Sequence, residues 1–378
     1  MPRHGLLRPA GHIRAPRATL CIASLAACAL TTAVSAQTPA RTTTPIAFTR
    51  FVDSLARVGF SGSVLLADQR QVLLYRTMGM ADRATRRAIT PSDRWRYASV
   101  SKQITAALVL REVDAKRIVL DVPVSTYLPG FTDGARAEIT VRHLLQHTSG
   151  LPNLNDGPSD ADGTPRAYRE RGANVGDAAY ARLCSGAPVA APGSRFEYNN
   201  CDYLVLGALL RARTGKTTSQ LLARQLGSAW TPGARETVRG YLTDSTSEAP
   251  FELATFGSAG ALTGTLEGLL AFDRLLLGTM LSPAAKGELW RGEPKLGYAA
   301  LGAWAFEAGL AGCATPVRLI ERRGEIGGIQ VRNVLLPERG LVLMMFTNRL
   351  DVVFGEVWQG PGLMYDALQA AACAAASP

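Results

Sequence analysis

Ser99 and Lys102 stand three residues apart at the head of a long apolar segment running to Lys116. On a helix, positions i and i+3 share one face, so the two side chains can meet. A buried lysine loses its proton readily, and its neutral amine can take the Ser99 hydroxyl proton without any histidine. The bland alternative is a capped helix, with Ser99 as N-cap and Lys102 in solvent. Two more segments weigh against it. Tyr198-Asn199-Asn200 is a Tyr-x-Asn just before an apolar run, and Arg322-Arg323-Gly324 is a cation-x-Gly just before a strand-like run. A phenol beside cations can ionise below its usual pKa of about 10, which makes Tyr198 a second candidate base. Taken singly, Tyr198 reads as a core aromatic, Asn200 as a helix cap, and Arg322 with Arg323 as solvated strand residues.

In order along the chain, Ser-x-x-Lys, Tyr-x-Asn and cation-x-Gly resemble the serine β-lactamase and penicillin-binding-protein superfamily. Residues 80–109, 139–153 (ITVRHLLQHTSGLPN), 204–217 and 258–277 share the likeness, which spans about residues 45–370. It is nearest to the branch of class C β-lactamases, D-alanyl-D-alanine peptidases and related esterases. The resemblance implies an α/β (α+β) fold of the β-lactamase/transpeptidase type. It also implies an acyl-enzyme on Ser99, proton transfer by Lys102 and Tyr198, and an Asn200 that orients Lys102 and the substrate. The N–H groups of Ser99 and Glu325 would form the oxyanion hole, each contributing about 3–4 kcal/mol to transition-state stabilisation. Gly324 would let the substrate backbone approach closely, and no cofactor is implied. Tyr198 with Lys102 would also activate the deacylating water. Glu197, Asp202 and the acids of 156–162 are other candidates, each read here as solvated.

One departure is plain. The third motif of this superfamily usually begins with Lys or His, and here it is Arg322. Arginine keeps the charge and grips carboxylates bidentately, but it does not give up a proton near neutral pH. Arg322 is therefore expected to anchor an anionic group rather than shuttle protons, and activity on standard β-lactams is the expectation that weakens most. A non-catalytic penicillin- or peptidoglycan-binding envelope protein of the same fold is the alternative.

Rival chemistries fail on residue types. Past residue 36 the only histidines are His143 and His147, too few for a separate Ser-His-Asp triad. Their i, i+4 spacing lacks the glutamate of a metalloprotease helix, and His147 reads as a turn-fixing residue, so no metal is expected. Thr214-Gly215-Lys216-Thr217 lacks the earlier glycine of a phosphate loop, because position 210 is Leu210.

The elements that must position these groups follow from patterning. Residues 46–58 read as an amphipathic helix, 62–68 and 72–79 as a hairpin, and Ser99–Lys116 as a buried helix. Strands are expected at 298–307, 317–323, 329–336 and 341–347, with a final helix at about 355–375. Strands at both ends of the chain around a helix-rich middle suggest two lobes within 46–375. One is an α/β lobe (about 46–117 and 256–375) with an antiparallel sheet flanked by helices. The other is a mostly helical lobe (about 118–255).

Composition sets the setting. Arg3, Arg8, Arg14 and Arg17 precede an apolar stretch, Ala18–Leu30, and Val34-Ser35-Ala36 offers a cleavage site. Residues 1–36 are expected to be a signal peptide and 37–45 a loose leader, with Cys28 as a rival lipoprotein site. The expected location is periplasmic. Removing those four arginines lowers the formal charge from +10 to +6, an ordinary solubility charge, and no nucleic-acid-type basic run is present. No later segment is long and apolar enough to span a bilayer. A monomer acting on a small molecule or peptidoglycan peptide is expected. Cys184, Cys201, Cys313 and Cys373 remain after cleavage. They admit three pairings or four free thiols, with Cys184–Cys201 and Cys313–Cys373 the expected pair.

Overall fold

The computed structural model describes residues 44–373 apart from Gly130 and Asp133. The expected signal peptide, Cys28 and all but the last two residues of the expected leader lie outside these. The strands are β1 Gly62–Ala67, β2 Val72–Met78, β3 Met80–Asp82, β4 Arg87–Ala88, β5 Trp95–Arg96, β6 Thr263–Gly264, β7 Trp304–Ala308, β8 Val317–Ile326, β9 Ile329–Leu336 and β10 Leu341–Thr347. The helices are α1 Ile46–Arg57, α2 Val100–Asp114, α3 Val141–Leu145, α4 Tyr180–Leu183, α5 Asn200–Thr214, α6 Thr218–Leu226, α7 Gly257–Gly260, α8 Leu266–Leu277, α9 Pro283–Leu289 and α10 Leu363–Ala372, with short 3-10 turns between them.

One sheet organises the molecule. It is antiparallel, with strand order β2-β1-β10-β9-β8-β7. Its central strands are buried on both faces, so side chains alternate between two cores. In β1, Val64 and Leu66 face one core, and Leu65 and Ala67 the other. In β10, Leu341, Leu343 and Met345 join the first while Val342, Met344 and Phe346 join the second. The first core is closed by α1, through Phe48, Val52 and Leu55 at helical spacing, and by α10. The second is closed by α2, which is buried on nearly all sides, the signature of a central rather than a surface helix.

Residues 118–255 give no strand to this sheet among the described residues. Their main element is α5, capped by the Asn199 side chain and ended by Gly215 in the left-handed region. Both expected disulfides are present. Cys184–Cys201 ties the end of α4 to the first turn of α5, and Cys313–Cys373 ties the β7–β8 loop to the end of α10.

Three boundaries differ from expectation by three residues or more, the first being β8, which runs on past 323 to Ile326. The strand expected at 298–307 begins only at Trp304, because Gly297 and Gly302 at φ +62° and +79° turn the chain before it. The last helix begins at Leu363, since Gly360-Pro361-Gly362 holds the preceding residues out of a helix.

Candidate active site

Ser99 sits at the N-terminal end of α2, immediately after a tight turn. Ala98 there has φ +45°, an uncommon conformation for a residue with a Cβ. Ser99 occupies the cap position but makes no side-chain cap bond. Its hydroxyl is turned to Tyr198 OH at 2.6 Å and to Lys102 Nζ at 3.2 Å. The capped-helix alternative therefore does not describe it. Lys102, one turn on, is fully buried. Its Nζ also donates to Asn200 Oδ1 at 2.7 Å and to the Ala259 carbonyl in α7 at 2.9 Å. The cap of α5 is Asn199, which accepts from the Cys201 amide, and this frees Asn200 to face Lys102. Asn200 Nδ2 is held in turn by Tyr168 OH at 2.7 Å.

Arg322 reaches the same cluster from β8. It is 2% exposed, donating from Nε to the Ser99 carbonyl at 2.8 Å and from Nη2 to Tyr198 OH at 2.7 Å. These bonds aim the charge that sequence reasoning assigned to a substrate anion at the phenol instead.

The electrostatics follow from this packing. Burial lowers Lys102, and Arg322 adds to the effect against the pull of Tyr198, leaving its pKa at about 8. Burial pushes Tyr198 up, but Arg322 and Lys102 overcome it and bring the phenol down to about 8. The two groups titrate as a pair. With one proton fewer than full protonation, the hydrogen bonds are satisfied in two ways. An ammonium can donate to Ser99, Asn200 and Ala259 while a phenolate accepts from Arg322 and Ser99. Alternatively, a neutral amine accepts from Ser99 while the phenol donates to Ser99. Ser99 thus has two exits for its proton, and the 2.6 Å contact is the shorter.

The strand side supplies backbone donors. β7 pairs with β8 only as far as Glu321, which pairs with Trp304, so residues 322–326 are free of β7 on that edge. A Cβ on Gly324 would lie 2.6 Å from the Ser99 amide nitrogen, so only glycine lets β8 pass so close to the nucleophile turn. A cavity of about 460 Å³ opens on Ser99, Tyr198, Trp304, Arg322, Gly324 and Glu325. A larger cavity, of about 850 Å³, is lined by Trp230, Arg235 and Phe251 among others and by none of Ser99, Lys102 and Tyr198.

The structure brings Ser99, Lys102, Tyr198, Asn200 and Arg322 into one bonded cluster, with Gly324 and Glu325 on its cavity. A sequence model of the Beta-lactamase family matches residues 47–358. The chain belongs to the beta-lactamase family. Over 179 residues it is 34% identical to esterase EstB of Burkholderia gladioli, an alignment covering 43% of this chain and 44% of that protein. Over 198 residues it is 31% identical to the D-aminopeptidase of Brucella abortus (strain S19), covering 47% and 32%. The alignments thus span less than half the length of these curated relatives. The D-amino acid amidase from Ochrobactrum anthropi SV3, solved with D-phenylalanine, superposes at TM-score 0.69 and 20% identity, over 86% of this chain and 98% of the amidase. FmtA from Staphylococcus aureus superposes at TM-score 0.69 and 19% identity, over 89% and 94%. The expected β-lactamase/transpeptidase-like fold is the one observed.

Several supporting residues of this beta-lactamase-family site were missed or misread from sequence. Asp202 was read as solvated, yet it is fully buried beside His147 Nδ1 at 2.9 Å and accepts from Ser149 Oγ. Burial holds the Asp202 carboxyl well above its ordinary pKa, and burial together with the Arg322 and Lys102 charges holds the His147 imidazole well below its own. The His147 ring packs 4.6 Å from that of Tyr198, and its Nδ1 accepts from the Asn199 amide. Its side chain thus braces the start of α5 rather than the Ser149-Gly150 turn it is expected to fix. His143 Nδ1 accepts from the Thr140 amide in a capping box, a different set of partners from His147. Arg96 and Glu248 were not anticipated at all. Arg96 is buried, pairs with Glu236 at 2.8 Å and with Glu248, and Glu248 accepts from the Gly328 amide at 2.7 Å. That chain of contacts joins β5, which leads into Ser99, to the β8–β9 turn that follows Glu325. Its sequence signal was faint: Gly240 and Gly327, where a Cβ would sit 2.2 Å from the Glu248 carboxylate.

Proposed function

We propose that this chain is a serine hydrolase that cleaves esters or amides through a Ser99 acyl-enzyme. One observation carries the reading: the Ser99 hydroxyl lies within hydrogen-bond reach of two groups, Tyr198 and Lys102, that both titrate near pH 8. Tyr198 as phenolate takes the hydroxyl proton while Ser99 Oγ bonds to the substrate carbonyl carbon. The oxygen that becomes negative is held by the amides of Ser99 and Glu325. Collapse of the intermediate breaks the bond to the leaving group, which leaves with the proton from Tyr198. Water then repeats the sequence in reverse roles and frees Ser99. Lys102 fixes Asn200 and the Ala259 carbonyl and, with Arg322, keeps the phenol ionisable. Arg322 acts on Tyr198, and Gly324 gives the substrate room.

Two lobes within residues 46–375 and export by residues 1–36 belong to the same proposal. That no described residue of 118–255 adds a strand to the six-stranded sheet supports the first. Two disulfides, which persist in oxidising compartments, support the second. No helix among the described residues is long and apolar enough to cross a membrane.

The test is rapid-quench mass spectrometry with p-nitrophenyl acetate. The expected result is one acetyl group on the peptide holding Ser99, and none in Ser99→Ala. Undiminished turnover by Ser99→Ala would overturn the reading.

A further inference from the structure

The cavity beside Ser99 has a second wall on the other face of β8. Arg323 lies there opposite Arg332 of β9, a like-charge pairing that needs compensation. Three acids supply it. Glu356, from the segment after β10, pairs directly with Arg323. Buried Glu321 lies 3.9 Å from Arg332. Glu325 borders the cavity two residues along from Arg323. With all five ionised the cluster carries two positive and three negative charges. Arg323 is further held between the rings of Trp304 and Trp358, at 4.7 and 5.2 Å. Arg322, on the near face, is committed to Tyr198 and the Ser99 carbonyl. Of the arginines on the cavity, Arg322 is bonded to Tyr198, Arg323 is paired with Glu356, and Arg332 lies 3.9 Å from Glu321, so a substrate carboxylate would have to compete with a partner already in place. One oxygen of Glu356, Oε2, is buried without a hydrogen-bond partner, so Glu356 has spare capacity to accept a bond but none to donate one.

We propose that Glu356 occupies the seat a substrate carboxylate would take, so that the site selects acyl donors without a carboxylate near the scissile bond. This deepens the hydrolase reading and rests on it. The discrimination lies in charge. A carboxylate seeking Arg323 must displace Glu356 and then lie beside Glu356 and Glu325, whereas a neutral acyl group meets no such cost.

Two esters with one leaving group test it: p-nitrophenyl acetate and mono-p-nitrophenyl succinate. The wild-type chain should prefer the acetate. In Glu356→Ala, Arg323 is uncovered and Arg332 lacks its share of compensation. The succinate-to-acetate ratio of kcat/KM should rise about tenfold, the size of one charge-assisted contact. Glu356→Gln keeps the shape without the charge and should raise the ratio in the same direction. Adding Arg323→Ala to Glu356→Ala should abolish the gain. A ratio unmoved in both single variants, with Ser99-dependent hydrolysis intact, would overturn this inference alone. Absence of Ser99-dependent hydrolysis of either ester would overturn the reading beneath it.

Discussion

The two walls of the Ser99 cavity are built on different principles. The helical wall, from α2 and α5, is a closed set of short bonds in which Ser99, Lys102, Tyr198 and Asn200 answer one another. The strand wall, from β8 and β9, is a partly exposed charge cluster whose members come from separate segments. A closed polar network in a low-dielectric setting tolerates little change. A partly solvated charge cluster can be retuned one residue at a time, because each contact is screened. On the proposed reading, the contrast assigns proton transfer to the helical wall and selectivity to the strand wall.

Removing the nucleophile should have the largest effect. Ser99→Ala should lower kcat/KM for p-nitrophenyl acetate by about 1,000-fold or more, as expected for a covalent step whose partners act as a unit. A loss of only a few-fold would mean that the helical wall is not the chemical one. Next comes Tyr198→Phe, which deletes one proton exit. Acylation should slow by about 100-fold or more, within the usual range for a positioned acid–base group, while circular dichroism stays native.

Glu248→Gln sharpens the comparison from between the walls. It leaves Arg96 buried and short of one counter-charge, a change that destabilises, and loosens the link between the nucleophile turn and the β8–β9 turn. We expect about a tenfold loss in kcat with KM little changed, the sign of a misaligned oxyanion site rather than weakened binding. Equal loss in kcat and gain in KM would point to substrate binding instead. The smallest effect on activity should come from replacing Cys313 and Cys373 by serine. That bond lies far along the chain from the site residues of α2 and α5 and should contribute about 2–4 kcal/mol of stability. Unfolding by urea should shift while kcat/KM holds.

The same contrast governs what could be read from the sequence. Ser99 and Lys102 were legible because helical spacing is local, and Tyr198 and Asn200 because they abut an apolar run that forms α5. The central strands were legible from their continuous apolar runs. What escaped was whatever depends on distant chain meeting. The Ala259 carbonyl lies 157 residues from Lys102, and Glu248 lies 152 residues from Arg96. Asp202 looked solvated because nothing local announces a buried acid; His147 and Ser149, its partners, lie more than fifty residues away. Arg322 was identified as the third motif, but only its bonds show that it serves Tyr198 rather than standing open to an anion. Arg323 was seen only as part of a motif, because Glu356, which compensates it, comes from beyond β10.

The pH dependence of single-turnover acylation by p-nitrophenyl acetate tests the central claim most directly. At low pH both Lys102 and Tyr198 hold their protons, and neither can accept that of Ser99. Because both titrate near 8, the acylation rate should be low at pH 6, rise with a midpoint near pH 8, and keep in Tyr198→Phe only the smaller rise that Lys102 alone supports. A rate independent of pH across this range, or an undiminished rise in Tyr198→Phe, would contradict the account.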